Sequence, residues 1–366
     1  MKRIKLLAAL AALTLVIAAC TEATDETTTT AEPGDGGTVA PPAGEVLAAV
    51  QERGTLNCGV NDAVPGFGFV DEDGAYSGFD IDYCRAVAAA VLGDPDAVEF
   101  KPLDAGQRFT ALQSGEIDVL IRNTTRTAGR DGGEGGTFLT TTFYDGQGMM
   151  VRADSGITEI EGLANTAICS LTGTTTELNV TTRMGDIPFD LQTFDDNETL
   201  QAAFIAGTCD GWTSDKSQLA AVRSAFPDGE GGPEALVILD ETFSKEPLGP
   251  VVRDGDSQWA QIIDWVVIAT IQAEEFGITS DNVGTFSDPE DDNIRRFLGL
   301  EVTDADGNVS IFDPGLGIDP GWTVSVIEAV GNYAEIYERN VAPVGIPRGV
   351  NSLWTDGGLL YAPPYR

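Results

Sequence analysis

Apolar and polar positions follow the same plan in two stretches of the chain. Ala111–Val119 and Ala203–Gly211 each predict the end of a helix, a glycine and then a short strand. Glycine fits the helix ends because it tolerates the left-handed backbone that closes a helix. The two units lie about ninety residues apart, and units of this kind alternate in α/β proteins. The pattern therefore predicts two similar α/β lobes.

Polar residues predict where several helices begin. Asp80 and Asn197 precede helical patterns, where their side chains can accept backbone N–H groups as N-caps. Thr174 and Glu177 follow the predicted strand Ala167–Leu171 and have the spacing of a capping box. A strand, a glycine turn and a helix N-terminus in succession can hold an anion on free backbone N–H groups. A plain helix cap is the alternative at this position.

The N-terminal residues are predicted to lie outside the fold. Basic residues precede the apolar stretch Leu6–Ile17, which is too short to span a bilayer well. The small residues before Cys20 resemble a bacterial lipobox, which predicts a signal peptide over 1–19 and lipidation of Cys20. An ordinary signal peptide with a chance cysteine is the alternative. Residues 20–44, rich in Thr, Glu, Gly and Pro, predict a disordered tether.

The length and the charge of the remaining chain limit the functions that it can have. About 320 residues suit two lobes better than one small core. The formal net charge of −37 disfavours nucleic acid and anionic lipid headgroups as partners. The chain has no histidine, which excludes Ser-His-Asp and Cys-His catalysis and histidine metal sites. We therefore expect no catalytic residue, no bound metal and no cofactor.

Four cysteines remain if Cys20 carries lipid. An even number in an exported protein predicts disulfides. Three pairings are possible, and the spacing favours the local ones, Cys58 with Cys84 and Cys169 with Cys209. Zinc binding by all four is the alternative, although no two of them have C-x-x-C spacing.

Several long segments resemble one family of proteins. They run from about Leu56 to Arg366 and include LNCGVNDAVPGF, GFDIDYCRAVAAAV, RFTALQSGEIDVLIRNTT, YDGQGMMVR, TGTTTELN, SKEPLGP, AVGNYAEIYERN and GGLLYAPPYR. On these segments the chain resembles the polar amino acid solute-binding proteins of bacterial ABC transporters. More narrowly, it is similar to the general L-amino acid-binding proteins and their glutamate/glutamine-binding relatives.

The resemblance implies an α/β fold of the two-lobed, type II periplasmic-binding-protein kind. In that fold two crossing strands join the lobes, and the ligand lies between them. The crossings are expected near 144–151 and 245–252. The expected division is 45–147 with 252–340 as lobe I, 148–251 as lobe II, and 341–366 as a C-terminal extension packed on the body.

The resemblance also assigns residues to the ligand carboxylate. A carboxylate is best held by a guanidinium fork with hydroxyl or backbone donors around it. In the family segment T-x-T-x-x-R the final arginine is the fork, which corresponds here to Arg130. Thr125 is implied as a second donor, with a further contact from Asn123. Thr174 and Thr175 match the carboxylate donors of the second lobe.

The ligand ammonium requires a carboxylate, because a charge in a closed cleft must be paired. Asp215 matches the family aspartate that fills this role, and a helix N-cap is its alternative role. Arg122 and Arg126 fit the family segment less well and are expected to face outward.

Side-chain specificity is assigned to Asn61, Val64, Pro65 and Phe67, which are expected to line the side-chain end of the site. Asn61 stands where basic-amino-acid receptors of the broader family carry an acidic residue. The amide argues against a specialist for Lys or Arg, and it fits neutral or acidic ligands or broad specificity.

The function expected from the sequence is that of an extracytoplasmic solute-binding lipoprotein. It would capture free L-amino acids and deliver them to the permease subunits of an ABC transporter. It is expected to be a monomer, attached to the cell membrane only by its lipid, on the periplasmic or cell-surface side. The alternatives are a narrower glutamate/glutamine/aspartate/asparagine receptor, an enzyme of the same fold such as a dehydratase, and a sensor ectodomain.

Overall fold

The computed structural model describes residues 45–366. These residues form two five-stranded sheets, each flanked by helices. The predicted signal peptide, lipidated Cys20 and tether lie outside the described residues. The helices are α1 Glu45–Arg53, α2 Phe79–Leu92, α3 Arg108–Ser114, α4 Ala128–Gly133, α5 Thr175–Met184, α6 Asn197–Ile205, α7 Lys216–Ser224, α8 Ser257–Phe276, α9 Asp292–Phe297, α10 Trp322–Val330 and α11 Tyr333–Asn340. The strands are β1 Leu56–Val60, β2 Ala63–Val64, β3 Gly68–Val70, β4 Tyr76–Ser77, β5 Val98–Pro102, β6 Val119–Leu120, β7 Gly136–Phe138, β8 Phe143–Asp145, β9 Gln147–Arg152, β10 Ala167–Leu171, β11 Asp190–Phe194, β12 Gly211–Asp215, β13 Leu236–Ile238, β14 Glu246–Leu248, β15 Val251–Arg253, β16 Glu301–Thr303 and β17 Val309–Ile311.

The first sheet, which we call the sheet of lobe I, has the strand order β5-β1-β6-β15-β7. β1 runs parallel to β5 and β6, whereas β15 runs antiparallel to β6 and β7. The carboxyl ends of β1 and β6 therefore lie at the same edge. Ligands of open α/β sheets bind beyond that edge, so the segments that follow these two strands are placed to form a site.

The second sheet, which we call the sheet of lobe II, repeats this plan in the order β11-β10-β12-β9-β13. β10 runs parallel to β11 and β12, and β9 runs antiparallel to β12 and β13. Successive residues of a strand point to opposite faces, so each strand feeds two apolar clusters. Met150 and Cys169 belong to one cluster, and Met149 and Ile168 belong to the other.

Two crossing strands connect the sheets. β8 leads into β9 of lobe II, and β14 returns the chain to β15 of lobe I. They pair antiparallel, with Tyr144 opposite Pro247. Asn351, close to the C-terminus, accepts the N–H of Tyr144 at 2.7 Å and donates to its carbonyl at 3.1 Å. The two-lobed α/β fold with two crossing strands is therefore confirmed.

The largest apolar cluster lies in lobe I and includes side chains of α2, α8, α10 and α11. Phe79 stands at its centre, with ring centroids 5.1 Å from Tyr83, 6.0 Å from Phe143 and 5.7 Å from Tyr333. Edge-to-face contacts at these distances add to the stabilisation from burial. Within residues 45–366, no helix has both the length and the apolar character needed to cross a bilayer.

Both local disulfides favoured by the spacing are present. Cys58 on β1 joins Cys84 on α2, with Cα atoms 6.1 Å apart. Cys169 on β10 joins Cys209, just before β12, with Cα atoms 5.8 Å apart. All four cysteines are buried. Each bond therefore ties a sheet strand to a neighbouring segment within the same lobe.

Replacing Cys169 and Cys209 together by Ser is expected to lower the free energy of unfolding of lobe II by about 2–4 kcal/mol, because the unfolded chain regains the freedom of an open loop. Urea unfolding of the double variant measures the change. Serine replacement of Cys58 and Cys84 is the matched variant in lobe I. Non-reducing peptide mapping that found free thiols, or a bond between the lobes, would contradict the pairing.

Candidate functional site

One cavity between the lobes collects six of the residues predicted from the sequence. Asn123, Thr125 and Arg130 reach it from lobe I. Thr174, Thr175 and Asp215 reach it from lobe II. The cavity between these side chains has a volume of about 20 Å³, so the two lobes lie close together around it. Both polar ends of the predicted grip therefore meet in one place.

Arg130 is positioned by the turn that follows β6. Thr127 caps α4, and its hydroxyl accepts the N–H of Arg130 at 3.1 Å. Nη1 of Arg130 donates to the carbonyl of Thr125 at 3.0 Å. Burial lowers the pKa of Arg130, whereas Glu246 and Asp215 act to raise it. Backbone carbonyls thus orient a buried guanidinium without neutralising it.

Asn123 lies in a left-handed conformation, with φ of 31°, which is uncommon for a residue other than glycine. Its N–H donates to Oδ2 of Asp80 at 2.7 Å. The prediction that Asp80 caps α2 is wrong, because the N-cap is Gly78, two residues earlier, and the helix begins at Phe79. Burial raises the pKa of Asp80 to about 7, and the bond from Asn123 opposes that rise. Asp80 thus holds the strained backbone of the site.

The start of α5 supplies the donors of lobe II. Thr174 is the N-cap, and its hydroxyl accepts the N–H of Glu177 at 3.1 Å, as the capping-box spacing predicted. The carboxylate of Glu177 reaches back to the N–H of Gly173 at 2.8 Å. Thr175 donates its hydroxyl to Oε2 of Glu246 at 2.8 Å. Thr174, Thr175 and Thr176 at this helix start all line the cavity.

Asp215 ends β12 at the carboxyl edge of the second sheet and is 5% exposed. It precedes α7, yet its side chain makes no capping hydrogen bond. Among the described residues, its buried Oδ1 has no hydrogen-bond partner. Burial raises the pKa of Asp215 well above its usual range, and Asp145 and Glu246 add to that rise. Among the described residues, this carboxylate therefore forms no ion pair with a cationic side chain.

Asp145 and Glu246 lie on the crossing strands beside Asp215. Burial raises the pKa of Asp145 to about 6, although the N–H groups of Gly146 at 2.7 Å and Ser217 at 3.2 Å donate to its carboxylate. Glu246 is 1% exposed and accepts hydrogen bonds from Thr175, Asn179 and Ser244. Two buried carboxylates, Asp215 and Glu246, and the half-buried Asp145 therefore meet where the crossing strands enter lobe II.

Gly173 is one point where the lobes touch. Its carbonyl accepts a bond from Nη2 of Arg130 at 3.3 Å and a longer one from Nη2 of Arg108 at 3.4 Å. Its φ is +73°, and a Cβ atom would lie 3.3 Å from Cα of Gly106 in lobe I. Only glycine combines this positive φ with so close an approach of Gly106 without a shift of the neighbouring backbone. The two lobes are thus in direct contact at the cavity.

Two arginines of the cavity were not assigned to it from the sequence. Arg122 was expected to face outward, which is wrong: it lines the cavity, is 5% exposed, and donates Nε to the carbonyl of Leu103 at 2.6 Å. Arg108 opens α3 and is 3% exposed. The helical spacing could have found Arg108, because Ala111 and Leu112 share its face and are buried.

The predicted side-chain pocket is only partly assembled. Asn61 lines a neighbouring cavity that also includes Arg122, and it donates to Oδ1 of Asn123 at 3.3 Å. Phe67 instead packs in the core of lobe I, with its ring centroid 5.2 Å from that of Phe143. Val64 is fully buried in the same core, and neither it nor Pro65 lines either cavity. The hairpin of β2 and β3 directs these side chains away from the cleft.

In the described part of the chain, no group of three or more Cys, Asp and Glu side chains is arranged to hold a metal ion. The three carboxylates at the crossing strands therefore do not form such a group.

Comparison with known proteins agrees with this architecture. Residues 56–280 match the bacterial extracellular solute-binding proteins, family 3. The chain is 45% identical over 325 residues to the general L-amino acid-binding periplasmic protein AapJ of Rhizobium johnstonii, covering 87% of this chain and 92% of that protein. It is 43% identical over 326 residues to the glutamate/glutamine/aspartate/asparagine-binding protein BztA of Rhodobacter capsulatus, covering 87% and 93%.

A solved structure has the same fold over its whole length. It is an ABC transporter / periplasmic binding protein from Brucella ovis with glutathione bound, 44% identical, with a TM-score of 0.81. The match covers 87% of this chain and 99% of that one. With the matched segment, the two lobes and the crossing strands in agreement, the chain belongs to family 3 of the bacterial extracellular solute-binding proteins.

Proposed function

We propose that the protein captures free L-amino acids between its lobes and delivers them to the permease of an ABC transporter. One observation carries the proposal: a single cavity holds the buried fork of Arg130 and the buried, unpartnered carboxylate of Asp215. A free amino acid carries a carboxylate and an ammonium on one carbon, so it would complete both. The amino-acid-binding and ABC-transporter names of the relatives support the same assignment.

Each polar end of the ligand is assigned to a set of donors or acceptors. The carboxylate goes to Arg130 and Thr125 of lobe I and to Thr174 and Thr175 at the start of α5, with Asn123 adding a contact. The ammonium goes to Asp215. The grip spans both lobes, so ligand binding favours the closed state.

We propose broad specificity, with the narrower glutamate/glutamine/aspartate/asparagine receptor as the alternative that the name of BztA supports. We further propose that the protein is not an enzyme. Turnover of a bound amino acid into a product, followed by mass spectrometry, would overturn that statement, whereas reversible binding alone agrees with it.

The experiment is a thermal-shift screen of residues 45–366 against the common amino acids. A ligand that binds only the folded protein raises the melting temperature by mass action, so the ranking of shifts reports specificity. D-enantiomers serve as controls, because they keep both charges but change their arrangement around the α-carbon. The absence of a shift with every L-amino acid would refute the proposal.

Glutathione is added to the screen as a second candidate. The relative from Brucella ovis holds it, and its γ-glutamyl end carries the same α-ammonium and α-carboxylate as an amino acid. A cavity of about 300 Å³ beside the site, lined by Asn61, Asp104, Arg122 and Asn197 among others, offers room beyond an amino acid. A larger rise in melting temperature with glutathione than with any amino acid would favour glutathione as the ligand.

Binding is expected to weaken as the pH falls below the raised pKa of Asp215, by about tenfold per pH unit. The ammonium pairs only with the ionised carboxylate, so at low pH binding must release a proton from Asp215. The groups that face it are Asp145 on β8, Glu246 on β14, Arg108 on α3 and Arg130 on α4. No histidine in the chain can produce the same dependence.

Calorimetry in buffers of different ionisation enthalpy measures this proton release. Replacing Asp145 by Asn removes one carboxylate that raises the pKa of Asp215. The fall in affinity should then move to lower pH. Constant affinity from pH 5 to 8, without proton release, would contradict the assignment of Asp215.

We also propose the placement of the whole chain. Lipidated Cys20 and the tether would hold the body on the periplasmic or cell-surface side of the membrane as a monomer. Lobe I would comprise 45–147 with 252–340, lobe II 148–251, and 341–366 would pack on the body. Mass spectrometry of the mature N-terminus tests the lipidation of Cys20, because an unmodified Cys20 would exclude the lipid anchor.

A further inference from the structure

The first crossing strand, β8, changes its anchoring partway along. Tyr144 is held by Asn351, which accepts its N–H at 2.7 Å and donates to its carbonyl at 3.1 Å. The next residue, Asp145, is held by lobe II, because its carboxylate accepts the N–H of Ser217 on α7 at 3.2 Å. The change of anchoring on this strand therefore falls between Tyr144 and Asp145.

The return strand, β14, changes its anchoring in the same way. The carboxylate of Glu246 accepts hydrogen bonds from Thr175 and Asn179 on α5 of lobe II, both at 2.8 Å. The next residue, Pro247, is held by lobe I, because its carbonyl accepts the N–H of Arg126 at 2.9 Å. The change on this strand therefore falls between Glu246 and Pro247.

The two changes of anchoring lie side by side. In the antiparallel pairing of β8 and β14, Asp145 lies opposite Glu246, and Tyr144 lies opposite Pro247. Bending of both strands at this one level would move the lobes relative to each other and keep the anchoring bonds on either side. A few residues at such a position can absorb the backbone change of a hinge.

The side chain of Asn351 takes the place of a neighbouring strand at Tyr144. Opposite residues of an antiparallel pair can exchange both of their N–H···O=C bonds. A side-chain amide carries the same donor and acceptor. β8 and β14 form a two-stranded sheet, so one edge of β8 faces away from β14, and Asn351 binds Tyr144 there. Asn351 is 3% exposed, so its two hydrogen bonds are shielded from water.

Asn351 is itself fixed to the helices of lobe I. Nε of Arg348 donates to the carbonyl of Asn351 at 2.9 Å, and Nη2 lies 3.1 Å from both carboxylate oxygens of Glu274 on α8. The same guanidinium lies 5.0 and 5.2 Å from the ring centroids of Tyr333 and Tyr337 on α11. A planar guanidinium that is both paired and stacked has little freedom to move. The C-terminal segment therefore connects α8 and α11 to the first crossing strand.

We propose that Asn351 is a positioning residue for ligand capture, because it fixes β8 to lobe I as far as Tyr144 and confines the closing motion to one level of the crossing strands. Asn351 is not among the residues that line the cavity, so it acts through the hinge and not on the ligand. The affinity of a ligand held between two lobes depends on how much of the protein is in the closed state. The effect on affinity rests on the proposed function, whereas the effect on the hinge does not.

The first test measures the separation of the lobes without ligand. Spin labels at two exposed positions, Glu72→Cys in lobe I and Glu198→Cys in lobe II, report this separation by pulsed EPR. Asn351→Ala removes both hydrogen bonds to Tyr144, so the distance distribution should broaden toward larger separations. A distribution as narrow as that of the labelled protein with Asn351 intact would overturn the inference.

Asn332→Ala is the matched control. Asn332 is also a buried asparagine of lobe I with two hydrogen bonds to the backbone: it accepts the N–H of Glu335 at 3.0 Å and donates to the carbonyl of Ile278 at 2.8 Å. Its replacement should lower the melting temperature about as much as Asn351→Ala does, but it should leave the distance distribution unchanged. Equal broadening in the two variants would show a general loss of stability and would overturn the inference.

Calorimetry with L-glutamate and L-glutamine measures the consequence for binding. Asn351→Ala should weaken both ligands by about twofold to tenfold, the contribution of one ordinary hydrogen bond. The factor should be the same for both, because the hinge does not touch the side chain of the ligand. Unchanged affinity for both ligands, or a loss for one alone, would contradict a role in closure.

A second variant covers the case in which Asn351→Ala does not fold. Asn351→Asp can still accept the N–H of Tyr144, but an ionised carboxylate cannot donate to its carbonyl. It should broaden the distance distribution as well, and an unchanged distribution in this variant would overturn the inference. A wild-type protein that binds no L-amino acid refutes the proposed function, whereas the EPR comparison, made without ligand, still decides the role of Asn351.

Discussion

Replacement of Asp215 by Ala is expected to weaken the binding of every amino acid by about thirtyfold to several thousandfold. Truncating one partner of a buried charge pair typically costs about 2–5 kcal/mol, because the other charge stays in the cleft unpaired. Asp215 is 5% exposed and has an oxygen without a partner among the described residues, whereas the neighbouring Asp145 and Glu246 already accept hydrogen bonds from other residues. Since the ammonium is common to all amino acids, the loss should not depend on the side chain of the ligand.

Calorimetry with several amino acids measures this loss. The matched control is Asp186→Ala, because Asp186 is an exposed carboxylate of the same lobe. The ligand-free Asp215→Ala protein should be at least as stable as the wild type, since it no longer buries an unpaired carboxylate. Normal binding by this variant, or a loss confined to one type of ligand, would show that Asp215 does not hold the ammonium.

Much of the fold follows from local patterns in the sequence. Gly115 ends α3 in a left-handed conformation, as the helix–glycine–strand pattern predicted. The start of α6 was misplaced by one residue, because Asp196 rather than Asn197 caps it. Helix ends are set by such local hydrogen bonds, so errors of this size are expected where polar residues adjoin.

The site was predictable where it lies at the ends of strands. Asn123, Thr125, Thr174 and Asp215 follow or close strands at the carboxyl edges of the two sheets, and the cavity forms between those edges. The side-chain pocket was less predictable, because the direction of a hairpin depends on what it packs against. Phe67 turns into the core since Phe79 and Phe143 offer it an aromatic surface there.

The buried arginines show what a sequence pattern leaves open. Arg122 fits the family segment less well than Arg130 does, so it was expected to face outward. Here burial lowers the pKa of Arg122 to about 10, and the cleft holds three such cations beside one unpartnered acid. Buried unpaired charges of both signs in one cavity indicate a site whose partners arrive with the ligand.

Replacement of Arg130 by Ala should weaken amino acid binding by a similar factor, about thirtyfold to several thousandfold, for the same reason applied to the α-carboxylate. The loss should be equal for glutamate and glutamine, because both ligands carry the same α-carboxylate. Arg130→Lys keeps the charge but loses the planar fork, so it should restore affinity only in part.

Arg126→Ala is the matched control for Arg130, because the two arginines lie four residues apart in the chain but differ in burial. The side chain of Arg126 is 49% exposed and pairs with Asp131, whereas Arg130 is 9% exposed and lines the cavity. Surface pairs of this kind contribute about 0–1 kcal/mol, so Arg126→Ala should bind and melt as the wild type does. Calorimetry on both variants distinguishes the clamp from a general effect of removing positive charge. Equal losses in the two variants, or full recovery of affinity in Arg130→Lys, would show that charge alone, without a fork at Arg130, holds the ligand.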